Sequence, residues 1–449
     1  MHQILSDTTT RALRYLAGLP ARSVAPTPAA IAQLADFDTP LPAGPNDPSE
    51  TLRLLDEVGS PATTAMAGSR YFGFVTGGTL PATLAANWLA STWDQNSALH
   101  RAAPATAAIE AVALSWLLDV LKLPPTATGA FVTGATVANL CALAAARHAL
   151  LKRAGWDVEA DGLFGAPSIT VIVGAEIHPS VTKALGILGL GRNRVVKIPV
   201  DTQGRLRAEL LPPLCGPTLI IAQAGNVNTG ACDPIAEICR HARAAGAWVH
   251  VDGAFGLWAA AAPALQSLVA GVEEADSWAT DAHKWLNVPY DCGLAFVRDP
   301  LALQAAMAIT AAYLPTEGAQ RNPSDYTPEL SRRARGVEVW AALHSLGRSG
   351  IATLIERNCA LARRFAAQLS AANLEILNHV VLNQVLVAFG NAERTVRVIS
   401  AIQAEGTCWA GITVWQGRTA MRISVSSWAT TEADVDQSVA AILRVNQGL

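Results

Sequence analysis

The sequence predicts an α/β protein. It has a helical arm over residues 1–70, a large domain over 71–345 on a mostly parallel seven-stranded sheet, and a small α+β C-terminal domain over 346–449. Two observations lead there. Between Ala130 and Val297 short apolar runs alternate with stretches of helical spacing, the pattern of a parallel sheet covered by helices on both faces. Hydrophobic residues make up 51% of the 449 and charged ones 15%, with alanine prominent, which suits a helix-rich globular chain and not a disordered one.

The arm reads as helices broken by the connector Thr39-Pro-Leu-Pro-Ala-Gly-Pro-Asn-Asp-Pro48. Tyr71-Phe-Gly-Phe-Val-Thr-Gly-Gly78 follows, and Pro81 to Leu123 has helical spacing, clearest at Ala107 to Leu121. Seven runs read as strands: Phe131–Thr133, Ile169–Val173, Val195–Ile198, Thr218–Ala222, Ala247–Val251, Ser277–Thr280 and Gly293–Val297. Beyond Pro300 the pattern is helical through Arg333–Leu346 and Ile351–Leu369. Strand-like runs at Gln384–Phe389 and Ala420–Val425 then mix with helical spacing at Val396–Ala404 and Glu432–Val445.

Composition excludes several classes of function. A net charge of -3 without a dense basic cluster gives no nucleic-acid surface. Seven dispersed cysteines without a CxxC argue for reduced thiols and against a zinc site. The longest apolar segment is interrupted by Glu110, Asp119 and Lys122, and the opening residues carry charges where a signal core would be apolar. No membrane span is expected, and a soluble cytoplasmic protein is the default.

The chemistry gathers between His250 and Trp285. The strand Ala247–Val251 stops at Asp252, which puts a carboxylate at the carboxyl edge of the sheet, where open α/β folds bind ligands. The next run stops just before Asp281-Ala-His-Lys284-Trp, so two strand ends deliver a carboxylate and an amine to one place. An isolated Asp and Lys would read as a structural ion pair. Pyridoxal phosphate chemistry needs the same two groups, a carboxylate to keep a ring nitrogen protonated and a lysine to hold the cofactor aldehyde.

His-x-Asp with a His-Lys-Trp whose lysine lies 32 residues on resembles the group II pyridoxal-phosphate decarboxylases, the family of aromatic amino acid, histidine and glutamate decarboxylases. The resemblance is strongest from about 130 to 340. It implies fold type I, the aspartate aminotransferase-like architecture, with pyridoxal 5'-phosphate as cofactor, Lys284 as the Schiff-base lysine and Asp252 as partner of the pyridine nitrogen. It also implies a homodimer whose arm wraps over the partner subunit, and an amino acid as substrate.

The same resemblance assigns further residues. Gly134, Ala135 and Thr136, in a turn opening a helix that runs to about Arg153, surround the phosphate; read alone, Thr136 is equally a helix cap. His178 stacks on one face of the cofactor ring with Ala254 beneath the other; a lone histidine is usually structural. His283 donates to the phosphate or caps a helix start. The family's Gly-Thr-Thr is Gly225-Asn226-Val227 here, so Asn226 or Asn228 stands in for a hydroxyl near the phenolic oxygen. Tyr313, 29 residues after Lys284 and followed by a polar stretch that reads as a mobile loop, matches a tyrosine that returns a proton to the substrate carbon; relatives with phenylalanine there tend to make aldehydes. Ser331-Arg-Arg-Ala-Arg335 reads as structural, with cofactor or partner contacts as the alternative.

Tyr71, Phe72, Phe74 and Trp93 suggest an apolar pocket for an aromatic substrate, whereas His100-Arg101 suggests a cation for a second carboxylate. Both readings stay open. So do three functions: a decarboxylase, another reaction on the same cofactor (transamination, oxidative deamination to an aldehyde, retro-aldol cleavage), and a non-catalytic cofactor-binding protein. Lys284, Asp252, His178 and Tyr313 together weigh against the last.

Overall fold

The computed structural model describes residues 1–309 and 320–449. Two compact units divide them: residues 79–360 with 378–384, and residues 1–78 with 361–377 and 385–449.

The larger unit holds seven strands: β1 (Thr128–Val132), β2 (Thr170–Gly174), β3 (Val196–Ile198), β4 (Thr218–Gln223), β5 (Trp248–Asp252), β6 (Ser277–Asp281) and β7 (Gly293–Val297). Their order is β1-β7-β6-β5-β4-β2-β3, and β7 alone runs antiparallel to its neighbours β1 and β6. Residues of β4 to β7 are buried throughout, as near-continuous apolar runs in a sheet covered on both faces require. The helix Ala135–Arg153 packs against β5, β6 and β7 through Ala138, Ala142 and Ala145, none of them exposed. Alanine suits that role, because its small side chain lets helix and sheet approach closely without giving up helix propensity.

Two glycines place the site. A Cβ on Gly293, at the start of β7, would lie 2.4 Å from the backbone of Gly134, so only glycine lets the turn after β1 settle against β7. Gly225, after β4, has φ +93 and sits against Gly256, which excludes ordinary side chains on both counts.

The basic stretch before the long helix Gly336–Ala371 is structural, as its composition suggests. Arg332, with no exposed side-chain area, pairs with Glu110 at 2.7 Å and donates to the carbonyls of Ser97 and Phe131. Arg333 pairs with Glu338, and Arg335 pairs with Asp291 at 3.0 Å. The helix is interrupted at Gly347, where φ is 60, so the two helical segments expected there join through a kink.

The second unit contains the arm helix His2–Gly18 and a four-stranded sheet of β8 (Glu375–Ile376), β9 (Gln384–Ala388), β10 (Gly411–Trp415) and β11 (Arg418–Ser424). Tyr71 and Phe72 belong to its core: Tyr71 stacks on Trp409 at 5.1 Å between centroids, and Phe72 meets Phe365 edge-on. None of the seven cysteines forms a disulfide, and among the described residues no helix is long and apolar enough to cross a membrane.

Candidate active site

The parallel pairing of β5 with β6 aligns Asp252 with Ala279, and the N–H groups of Gly253 and Asp281 donate to the carbonyls of Ala279 and Ala254. The two strands therefore end side by side. Asp252 is 4% exposed, and burial pushes its carboxyl upward because water no longer solvates the charge. His178 and Lys284 oppose that shift, while Asp281 adds to it. His178 and Lys284 thus both act electrostatically on Asp252.

Asp281 is the residue that sequence reasoning missed. Its Oδ2 lies 3.0 Å from Lys284 Nζ, and its Oδ1 accepts the Ala135 N–H at 2.6 Å. A strand-end carboxylate three residues before the lysine was the available signal. The carboxylate links Lys284 to the first turn of the helix Ala135–Arg153, which has Gly134 as its N-cap and no side-chain cap. Thr136 stands inside that helix and does not cap it.

His283 is 8% exposed, and its Nδ1 accepts the Cys292 N–H at 3.1 Å. The neutral ring must then carry its proton on Nε2, which lies 3.7 Å from Asp281 Oδ1. Burial lowers the His283 pKa, with Asp281 opposing, so the neutral form is favoured. Tyr290 stacks on the ring at 4.3 Å and fixes its plane. No helix begins at His283.

His178 follows β2 and caps the helix Pro179–Ile187 by accepting the Ser180 N–H. Asn226 is 1% exposed; its Oδ1 accepts from the N–H groups of Asn228 and Thr229, while Nδ2 has no partner among the described residues. Ala254 donates its N–H to Asp252 at 3.3 Å. Tyr313 lies outside the described residues. Within them no group of His, Cys, Asp and Glu is arranged to hold a metal ion.

A lysine held by a carboxylate, a second buried carboxylate at the neighbouring strand end, a helix start at Gly134 beside a ring-nitrogen donor, and a buried amide donor with nothing to bind form the donor set of a phosphorylated, cationic aromatic aldehyde. A model of the pyridoxal-dependent decarboxylase conserved domain matches residues 56–390. The chain belongs to that family. It is a pyridoxal 5'-phosphate-dependent carboxy-lyase of the amino acid decarboxylase class.

Among relatives, an aromatic-L-amino-acid decarboxylase of Bacillus atrophaeus is 29% identical over 349 residues, 74% of this chain and 69% of that protein. An L-2,4-diaminobutyrate decarboxylase of Rhizobium meliloti (strain 1021) is 32% identical over 284 residues, 60% of this chain and 53% of that one. The fold matches a crystal structure of Oryza sativa TDC with PLP and tryptamine at a TM-score of 0.90 and 23% identity, covering 100% of this chain and 97% of that chain.

Proposed function

We propose that this chain removes the carboxylate of an L-amino acid as carbon dioxide and returns a proton to the same carbon, giving the amine. Lys284 holds the cofactor aldehyde, and Asp252 keeps the ring nitrogen protonated. The observation that carries this reading is the buried carboxylate of Asp252, exposed by 4%, at a strand end beside the one that delivers Lys284. When bound, the cofactor supplies a cationic ring that takes up the electron pair of the broken carbon–carbon bond.

The side chains divide the remaining work. Burial disfavours the Asp252 anion when it stands alone, so a cationic ring nitrogen is the partner that restores it. Asp281 orients the Lys284 amine and, through Ala135, ties it to the helix start where Gly134, Ala135 and Thr136 would receive a phosphate. His283 would donate from Nε2, because its other nitrogen is already occupied. Asn226 has a buried amide N–H to offer the ring oxygen, the need that a hydroxyl meets in the resembling family. His178 and Ala254 would bracket the ring, and Tyr313 would return the proton to the substrate carbon.

The active form is proposed to be a homodimer, supported by the exposed indoles of Trp88, Trp93 and Trp116 on two neighbouring helices in sequence. The reaction is tested by incubating the purified protein with aromatic, acidic and diamino L-amino acids while carbon dioxide and amine are measured. Equal amounts of both from one substrate support the proposal. Products lacking carbon dioxide would move the chain to another reaction on the same cofactor.

A further inference from the structure

We propose that three buried side chains, His250, Asn139 and Ser180, form a polar relay that fixes the tautomer of His178, keeping Nδ1 an acceptor and the ring proton on Nε2. The relay connects the inside of the sheet to the site. His250 and Asn139 have no exposed area and Ser180 is 9% exposed, so water does not compete for their hydrogen bonds.

The direction of every link follows from one backbone group. The Ser180 N–H donates to His178 Nδ1 at 3.2 Å, so that nitrogen presents a lone pair. Ser180 Oγ lies 2.7 Å from the same nitrogen, and at that distance its hydroxyl proton must point there. The oxygen is then left to accept, and Asn139 Nδ2 donates to it at 3.4 Å, the longest link in the chain. This orients the Asn139 amide so that Oδ1 faces His250 Nε2 at 2.8 Å, and an amide oxygen only accepts.

His250 therefore carries its proton on Nε2. Its Nδ1 lies 2.9 Å from Ser277 Oγ, which already accepts the Trp248 indole N–H and has its own proton left to give. Burial, which lowers the His250 pKa to about 3, keeps that ring neutral. A neutral His250 is what the relay needs, because a second ring proton would meet the Ser277 hydroxyl proton.

The consequence for His178 is chemical. With Nδ1 held by two donors and Nε2 protonated, the ring can donate to a substrate or cofactor oxygen but offers no lone pair as a base. Its place beside the cofactor rests on the proposed function; its tautomer rests on the chain's own residues.

The test is the histidine ring 15N spectrum of the full-length protein loaded with pyridoxal phosphate, with the His178 signals assigned by their loss in His178→Gln. The wild type is expected to show a pyridine-like Nδ1 and a pyrrole-like Nε2. Asn139→Asp keeps the shape and replaces the Nδ2 donor with an acceptor. Ser180 then turns its proton to the new carboxylate and withdraws the shorter of the two bonds to His178 Nδ1, leaving the backbone donor at 3.2 Å, so the Nδ1 signal should move by tens of ppm toward the pyrrole-like range as the two tautomers mix. Should that variant fail to fold, Ser180→Ala, which deletes one buried atom, is expected to mix the two tautomers. A wild-type proton on Nδ1, or an unchanged His178 spectrum in the folded variants, would overturn the relay. Cofactor affinity, read from the visible absorbance band in the same samples, separates the two claims: a switched tautomer at unchanged affinity leaves the relay standing and removes His178 from the cofactor.

Discussion

At the level of single residues, Asp252 and Tyr313 are where the proposed chemistry is most exposed to test. Asp252 is a buried carboxylate whose charged form burial disfavours, with His178 and Lys284 opposing. Asp252→Asn should therefore lower turnover on the order of a hundredfold or more, the size of effect seen when a preorganised electrostatic group is removed. In cofactor-free protein the same change should raise the melting temperature at pH 8, since a neutral amide replaces a buried charge. Higher stability with lost turnover identifies an electrostatic role; a loss of both would mean that the carboxylate mainly holds the fold. Tyr313→Phe should divert product from amine to aldehyde, with dioxygen consumed and ammonia and hydrogen peroxide released, which an oxygen electrode and product chromatography read together. Unchanged amine yield would remove Tyr313 from the proton return.

At the scale of elements the turn after β4 provides a pH test. Asp233 accepts the N–H groups of Leu206 and Gln223, both at 2.7 Å, yet burial pushes its carboxyl up to about 6. A folded-state pKa above the unfolded value of about 3.9 means that the associated stability is complete below about pH 4 and is lost as pH rises through about 6. The stability of wild type relative to Asp233→Asn should fall across that window, by about 3 kcal/mol at most, in denaturant titrations at each pH. A flat difference would show that the two N–H donors offset burial fully.

The strands of the large sheet were legible in sequence because each is a buried apolar run, and Gly293–Val297 was placed to the residue. The short β8 and the half-exposed β10 were not, since Glu375–Ile376 is too brief to show a period and Gly411–Trp415 lacks a clean apolar face. In the site, Asp252 and Lys284 were legible because a motif places both at strand ends. Asp281 and the His250, Asn139 and Ser180 links were not, because they depend on which strands neighbour one another and on side chains brought together across the sheet.

For the molecule as a whole the central structural expectation is assembly. Trp88, Trp93 and Trp116 are 37–42% exposed, and an indole left in water gives up a large apolar burial. Sedimentation velocity should report twice the chain mass in the micromolar range. A species of the chain mass that retains full activity would contradict a dimer as the active form.

The most direct test of the central claim, that Lys284 and Asp252 operate pyridoxal phosphate to decarboxylate an amino acid, is an absorbance spectrum of the loaded protein beside Lys284→Ala, followed by addition of each amino acid with carbon dioxide recorded. A band at the edge of the visible that Lys284→Ala lacks is expected, with carbon dioxide from the wild type alone. A band that persists in Lys284→Ala, together with unchanged carbon dioxide release, would contradict it.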